Sequence, residues 1–238
     1  MNSNDVSLNL IAITIFAFVL ASLVGPLVDL SPAIPATLAG GLLVLATVDT
    51  LGWQNRGSTL LVDAIAQFSP EHRDRILHHE AGHFLVAHTL DIPITGYSLN
   101  AWEAFRQGQP GNGGVRFNTQ NLENSLNQGN LPATVVDRYC IVWMAGIAAE
   151  LLTYNQAEGG MGDRQQIRTL YQLIRQSPDA AQQKERWAIL QAKTLLQTNE
   201  AAYTALLDAM RDRKSVEECQ HVLTAVNQAS VSESVDAS

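Results

Sequence analysis

Two uncharged stretches near the start of the chain constrain its fold more than any other feature. Residues 8–28 contain no charged side chain, and residues 33–52 contain only Asp49, close to their end. Each stretch has about the 20 residues that a helix needs to cross a hydrocarbon layer about 30 Å thick. A short turn containing a proline separates them. The pattern therefore predicts a transmembrane helical hairpin, and we assign residues 1–56 to a membrane anchor.

The residues that flank these stretches indicate an orientation. A cleaved signal peptide begins with a basic segment, whereas MNSNDVS contains neither Lys nor Arg, which disfavours that alternative. The first basic residue beside either stretch is Arg56, which follows Trp53, a residue type typical of the membrane interface. Because positive residues are retained on the cytoplasmic side, we expect both termini and the remaining chain in the cytoplasm. The expected membrane is a bacterial inner membrane or a thylakoid.

Composition excludes some classes of partner and site. The net charge is -8, and the 15 Lys and Arg residues form no cluster, which excludes a basic nucleic-acid-binding surface. The only two cysteines, Cys140 and Cys219, are far apart in sequence, so we predict buried, reduced thiols and no disulfide framework. An apolar content of 46% is sufficient for a hydrophobic core.

The rest of the chain is predicted to be a mainly α-helical domain, residues 57–226, with a small β hairpin. Apolar periodicity and helix-start signals predict helices at about 60–68, 70–90, 132–154, 164–176, 180–198 and 199–226. Strands are predicted at 94–99 and 115–118, around a connection rich in Gly, Pro and Asn. The polar tail, residues 227–238, is predicted to be disordered.

The segment HHEAGH contains the pattern H-E-x-x-H of zinc proteases. Residues four apart share one face of a helix, so His79 and His83 can bind one Zn²⁺ ion, with Glu80 beside it. Zinc held by three protein groups acidifies a water molecule, and the glutamate takes its proton as hydroxide attacks a peptide carbonyl. His78 has no histidine four residues further on, and His88 lies on the opposite side of the helix, so neither is expected to bind the metal.

Small residues suggest which helix packs against this motif. Ala81 and Gly82 lie between the two candidate ligands, and a second helix can approach closely there. The segment MAGIAAEL, residues 144–151, is similarly rich in small residues and is the predicted partner.

Two histidines leave a catalytic zinc short of its usual three protein ligands. Glu150, on the later helix, and Asp163, at the start of another, are the candidates for the third ligand. Glu150 also fits a different role, accepting a hydrogen bond from a ligand histidine and orienting it. Asp163 also fits the N-cap of a helix that begins at Arg164. The spacing alone leaves both alternatives open.

At this point the motifs resemble a known family. HHEAGHFLVAHTL, then MAGIAAELLTY, then a Gly-rich break before Asp163, is similar in motif and order to the peptidase domain of FtsH-type membrane-anchored zinc metalloproteases. The likeness covers roughly residues 65–225. It implies a zincin-like peptidase domain with zinc ligands His79, His83 and Asp163, and with Glu80 as general base.

The chain departs from that family in two ways. The family's middle motif typically reads G-R-x-A-E-E, whereas here Ile147 replaces the arginine and Leu151 the second glutamate. The chain also contains no G-x-x-x-x-G-K-[ST] phosphate-binding loop. We therefore expect this chain to lack the family's ATPase module and to bind no ATP.

Two functional hypotheses follow. The first is an ATP-independent, membrane-anchored zinc endopeptidase that cleaves unfolded or flexible polypeptides, with the Gly-rich segment 108–114 bordering a cleft where substrate adds as a strand. The second is a non-catalytic membrane adaptor or regulator that assembles with an ATPase-bearing FtsH-type protease. The resemblance also allows a homo-oligomeric ring. An intramembrane protease is disfavoured, because the charged segment SPEHRDR precedes the motif and would be costly within a bilayer.

Overall fold

A computed structural model of the chain describes residues 3–29, 31, 33–52, 69–108 and 113–236. These residues separate into two compact units. The first combines the described parts of Met1–His72 and Asn100–Gly113. The second combines Arg73–Leu99 with the described part of Gly114–Ser238.

Helices account for most of the described residues, so the predicted class, mainly α with a small β element, is confirmed. The helices are α1 (Ser3–Val24), α2 (Ala33–Gly52), α3 (Pro70–Thr89), α4 (Ala101–Arg106), α5 (Gln120–Asn127), α6 (Ala133–Tyr154), α7 (Met161–Leu173), α8 (Pro178–Thr198), α9 (Glu200–Arg211) and α10 (Val216–Asp236). The strands are β1 (Ile94–Gly96) and β2 (Arg116–Phe117).

In the first unit, α2 has the bounds that the sequence predicted. It is long and apolar enough to cross a membrane, and it exposes leucines such as Leu43 and Leu51. The described apolar part of α1, Ile11–Val24, is shorter, and a 3-10 helix, Gly25–Val28, follows it. One helix of the predicted hairpin thus meets the length requirement, and the second span stays a prediction.

Several predictions fall on residues that the structure does not describe. The helix predicted at 60–68 lies outside the described ranges, as do Trp53 and Arg56. Residues 109–112 of the Gly-rich connection also lie outside them.

In the second unit, α6 lies at the centre of the core. Nearly every side chain from Val136 to Glu150 is buried, because α6 is apolar on all sides and α3, α7 and α8 pack around it. A Cβ placed on Gly82 of α3 would lie 2.7 Å from the Ala145 carbonyl oxygen and 2.7 Å from the Ala149 Cβ. The predicted close approach of the two helices through small residues is therefore confirmed.

The two strands pair antiparallel, as predicted. Ile94 lies opposite Phe117, and beyond an irregularity the pairing continues to Ser98 and Gly114, whose N–H groups each donate to the other's carbonyl oxygen at 3.2 Å. The connection is not a simple hairpin loop, because it contains α4. The signal is local: the Asn100 side chain accepts a hydrogen bond from the Glu103 N–H at 2.7 Å and caps this helix.

The C-terminal part differs from the prediction in two places. The single helix expected at 199–226 is two helices, α9 and α10. Ser215 starts the second with a capping box, in which its Oγ accepts from the Glu218 N–H at 3.2 Å and its own N–H donates to the Glu218 carboxylate at 2.7 Å. Helix α10 also continues to Asp236, into the segment that was predicted to be a disordered tail, and this segment contains no Gly or Pro.

Candidate metal centre

Helix α3 carries three of the predicted site residues. Ser69 caps its start, accepting a hydrogen bond from the His72 N–H at 3.3 Å, and Pro70 is its first residue, as predicted. One helical turn separates His79 from His83, so both imidazoles project from the same side of α3. His83 is buried and the His79 side chain is only 12% exposed.

Each imidazole is oriented by a hydrogen bond at its Nδ1 atom. His83 Nδ1 lies 2.7 Å from the carbonyl oxygen of Val142, and His79 Nδ1 lies 2.7 Å from Oε1 of Glu150. Because these oxygens accept, each Nδ1 donates a proton, and the Nε2 atom of each ring is left to bind another group. The two Nε2 atoms lie 3.1 Å apart.

Asp163 completes a group of three. Its Oδ2 atom lies 3.3 Å from His79 Nε2 and 3.5 Å from His83 Nε2. The alternative role of Asp163 as N-cap is wrong, because α7 begins at Met161 and Gly160 is the cap, with φ of 85°. Asp163 therefore lies in the first turn of the helix, with its carboxylate directed at the histidines.

The three atoms have the spacing that a tetrahedral metal site requires. Zinc ligand atoms 2.0–2.1 Å from the metal in tetrahedral geometry lie about 3.3 Å from one another. The observed separations are 3.1, 3.3 and 3.5 Å. His79, His83 and Asp163 could therefore hold a metal ion. Its identity as zinc stays a prediction.

Glu150 lies behind His79, on the Nδ1 side of the ring. Besides that ring, its carboxylate accepts hydrogen bonds from the N–H groups of Glu158 at 2.8 Å and Gly159 at 3.2 Å, and from Arg75 at 3.2 Å. Its side chain is 1% exposed. Both predicted candidates for the third ligand thus contact His79, but only Asp163 contacts the Nε2 atom.

Glu80 lies beside the two histidines, next to strand β2. Its Oε2 accepts a hydrogen bond from the Val115 N–H at 2.8 Å. A Cβ on the preceding residue, Gly114, would lie 3.2 Å from the same oxygen, and φ at Gly114 is 121°. The strand can therefore approach the carboxylate this closely only because glycine is present.

The charges of the site favour positive groups at the ligand positions. Burial lowers the pKa of His79, but hydrogen bonds to Asp163 and Glu150 outweigh it and raise the pKa to about 10. Burial likewise lowers the pKa of His83, and the Asp163 and Glu80 carboxylates outweigh it and raise it. Burial raises the pKa of Asp163, but the two imidazoles outweigh it and hold it well below its usual range. Such a site suits a cation.

Two further histidines of α3, His78 and His88, lie apart from this group. His78 Nδ1 lies 2.9 Å from the hydroxyl oxygen of Tyr203, and burial lowers the pKa of His78. His88 is half-buried near the end of the helix, where burial also lowers its pKa. Neither belongs to the metal-competent group found among the described residues.

Sequence reasoning missed the glycines that surround the His79 ring. A Cβ on Gly146 would lie 2.4 Å from His79 Nε2, and a Cβ on Gly159 would lie 2.8 Å from Glu150 Oε1. A Cβ on Gly160 would overlap the Ile147 side chain. The sequence shows the segment NQAEGGMG, residues 155–162, only as a Gly-rich break before Asp163, whereas in the structure Gly159 and Gly160 make room for this site.

Comparison with known proteins assigns no family. No protein-family model and no curated protein matches the chain. The functional conclusion therefore depends on the geometry of the site.

Proposed function

We propose that this protein is a membrane-anchored zinc metalloendopeptidase that cleaves unfolded or flexible polypeptides without ATP. The observation that carries the proposal is the convergence of His79 Nε2, His83 Nε2 and Asp163 Oδ2 beside Glu80. The resemblance of the same residues, in the same order, to the peptidase domain of FtsH-type proteases supports it.

The donor set favours zinc. Two imidazoles and one carboxylate also suit Fe²⁺, but the ligands of an octahedral iron lie at right angles, which brings them slightly closer together than in a tetrahedral site. The tetrahedral fit and the adjacent Glu80, as in H-E-x-x-H peptidases, favour zinc. Zinc bound here would lower the pKa of a water molecule toward neutrality and polarise the scissile carbonyl.

Side chains of the protein would transfer the proton of the attacking water. Glu80 would take it from the attacking water and pass it to the leaving amine, since a carboxylate within hydrogen-bonding distance can act in both directions. Its Oε2 atom is held by the Val115 N–H at 2.8 Å, which fixes the carboxylate next to the histidines. Glu150 would keep the His79 ring in place through its Nδ1 atom.

The position of strand β2 supports the proposal that the substrate is a polypeptide. One edge of β2 is paired with β1, and among the residues that the structure describes no strand pairs with the other edge. The Val115 N–H is directed to Glu80, whereas the N–H and C=O of Gly114 pair with Ser98. An extended substrate added along this edge would pass the general base.

The membrane anchor would be a helical hairpin. Helix α2 is long and apolar enough to cross a membrane and would supply one span, and α1 is proposed as the second, with the peptidase domain in the cytoplasm. The zincin-like character of the domain belongs to the same proposal. A site in water near a membrane suits flexible or membrane-proximal chain segments.

The deciding experiment measures peptidase activity of the purified full-length protein in detergent. We expect cleavage of a fluorescently labelled disordered protein in the presence of zinc and absence of ATP, with loss of activity on adding a chelator. Glu80→Gln should abolish cleavage while zinc remains bound. The matched control is Glu123→Gln, which changes an exposed glutamate of α5. This variant should cleave the substrate as the wild type does. Activity that survives Glu80→Gln contradicts the mechanism.

A second candidate is a non-catalytic adaptor or regulator of a complete ATP-dependent protease. The missing phosphate-binding loop and Ile147 in place of the family's arginine favour it. It predicts bound zinc, no cleavage of any disordered substrate, and co-purification with an ATPase-bearing FtsH-type protease. Cleavage by the isolated protein that depends on Glu80 excludes it.

A further inference from the structure

A buried arginine connects the surroundings of the candidate metal centre. Arg75 lies on α3, one helical turn before His79, and its side chain is 8% exposed. Its guanidinium donates to Glu150 Oε2 at 3.2 Å and to the Gln156 carbonyl oxygen at 3.1 Å. It also lies 3.4 Å from Glu158 Oε1 and 4.3 Å above the Tyr154 ring.

These contacts tie Arg75 to one ligand through Glu150. The Glu150 carboxylate has four donors: the His79 ring, Arg75 and the N–H groups of Glu158 and Gly159. Because both carboxylate oxygens accept hydrogen bonds, the carboxylate cannot rotate without breaking hydrogen bonds in a buried site. Arg75 therefore fixes the acceptor that fixes the His79 ring.

The same guanidinium holds the segment that leads to a second ligand. Gln156 and Glu158 belong to the connection between α6 and α7, and α7 carries Asp163 in its first turn. A single side chain from α3 thus contacts the supports of both His79 and Asp163.

We propose that Arg75 is a positioning residue of the metal centre, an inference that rests on the proposed function. It holds Glu150 and the α6–α7 connection together, so that His79 Nε2 and Asp163 Oδ2 face the same point. Outer hydrogen-bonding partners of metal ligands commonly change metal affinity by 10–100-fold, and a residue that acts through them belongs at the lower end of that range. Loss of Arg75 should therefore weaken zinc binding about tenfold.

The test is a competition titration of zinc against a chromophoric chelator, using the full-length protein in detergent. Arg75→Met keeps an unbranched apolar stem and removes the charge and the donors. Arg75→Lys keeps the charge but loses the fork that reaches several acceptors. We expect about tenfold weaker zinc binding for Arg75→Met and partial recovery for Arg75→Lys. The absorption spectrum of the Co²⁺-loaded protein should shift in Arg75→Met, because the His79 ring moves.

A matched control separates positioning from stability. Arg168 also donates to a buried carboxylate, that of Glu185 at 3.1 Å, but the partners of Glu185 are Arg168 and Arg164 and not a ligand histidine. Arg168→Met should leave zinc affinity and the Co²⁺ spectrum unchanged. In a Glu150→Gln background, Arg75→Met should weaken zinc binding by less than it does in the wild type, because part of its effect passes through Glu150.

The outcomes are distinguishable from failure of the proposed function. If the zinc affinity of Arg75→Met is within twofold of the wild type, the inference about Arg75 is wrong. It is also wrong if Arg168→Met lowers zinc affinity as much as Arg75→Met does. Neither result bears on the proposed peptidase function. If Arg75→Met does not fold, unchanged affinity and an unchanged Co²⁺ spectrum in Arg75→Lys overturn it. If the wild type binds zinc but cleaves nothing, the peptidase proposal is wrong, and the zinc affinities of the Arg75 and Arg168 variants still test the inference about Arg75. A wild type that binds no zinc overturns both.

Discussion

The glutamates Glu150 and Glu185 are both buried and both accept hydrogen bonds from arginine, but their other surroundings differ. Glu185 on α8 accepts from Arg164 at 2.9 Å and Arg168 at 3.1 Å, whose side chains are 36% and 54% exposed. Glu150 accepts from the buried Arg75, from two backbone N–H groups and from the His79 ring.

The difference distinguishes an ion pair that only joins two helices from one that also orients a candidate metal ligand. The hydrogen bonds of Glu185 end at two side chains that reach water, so the cluster joins α7 to α8 and does nothing further. Those of Glu150 end at an imidazole whose other nitrogen faces His83 and Asp163. What distinguishes Glu150 from Glu185 is that its partner, the His79 ring, contacts His83 and Asp163 through its other nitrogen.

The largest expected effect comes from moving the ring that Glu150 orients. Gly146→Ala would place a Cβ 2.4 Å from His79 Nε2, so the ring must shift away from the other ligands. Overpacking of this kind costs about 1–3 kcal/mol, and we expect zinc affinity to fall about 100-fold. A competition titration measures it. Gly162→Ala, where a Cβ meets nothing within 4 Å, is the control and should bind normally. Equal affinities would refute the ring placement.

The second prediction compares the two glutamates directly. Glu150→Gln should weaken zinc binding about 10–100-fold, because the amide is a poorer acceptor for the His79 Nδ1–H and no longer neutralises Arg75. Glu185→Gln should leave zinc affinity unchanged. Isothermal titration of the metal-free proteins with zinc gives both constants. Similar losses in the two variants would mean that the comparison is wrong.

The third prediction concerns pH. In the metal-free protein the pKa of His79 is raised to about 10 from its usual value near 6.5, so its contribution to stability is full below pH 6.5 and is lost as pH rises toward 10. A shift of this size corresponds to at most about 5 kcal/mol, so we expect the metal-free protein to lose stability over that range. Denaturant midpoints at several pH values test this.

Zinc and Glu185→Gln provide the controls for that measurement. Zinc takes the place of the proton on His79, so the zinc-loaded protein should not show the loss. Metal-free Glu185→Gln should show the same loss as the wild type, since Glu185 does not contact His79. A midpoint of the metal-free wild type that rises between pH 6.5 and 10 contradicts the assigned role of the His79 proton.

The smallest expected effect is on the stability of Glu185→Gln itself. Arg164 and Arg168 can turn to solvent when the carboxylate is lost, so the free energy of unfolding should fall by about 1 kcal/mol, less than for breaking a fully buried pair. Denaturant unfolding of the metal-free protein at pH 6 measures it. A loss larger than that of Glu150→Gln would reverse the ranking of the two clusters.

The local parts of the site could be predicted from the sequence, since helical spacing alone places His79, Glu80 and His83 on one helix. The small residues at Gly82 and in residues 144–151 likewise indicated which helices pack together. Such signals depend only on neighbours in sequence.

The remaining parts depend on contacts between distant residues. Arg75 lies 75 positions from Glu150, and Val115 lies 35 positions from Glu80, so no local pattern joins them. The start of α7 was placed three residues late because its cap is Gly160 in a left-handed conformation, a weaker signal than the Asp163 that follows. The capping box of Ser215 and Glu218 is, by contrast, a local signal that separates α10 from α9.

The central claim is that His79, His83 and Asp163 bind one catalytic zinc ion with Glu150 behind them. Zinc content after loading and gel filtration tests it most directly, in the wild type, Asp163→Ala and Glu150→Gln. We predict one equivalent of zinc per chain in the wild type, retention at saturating zinc in Glu150→Gln, and loss in Asp163→Ala. Loss of zinc in Glu150→Gln with full retention in Asp163→Ala would contradict the account.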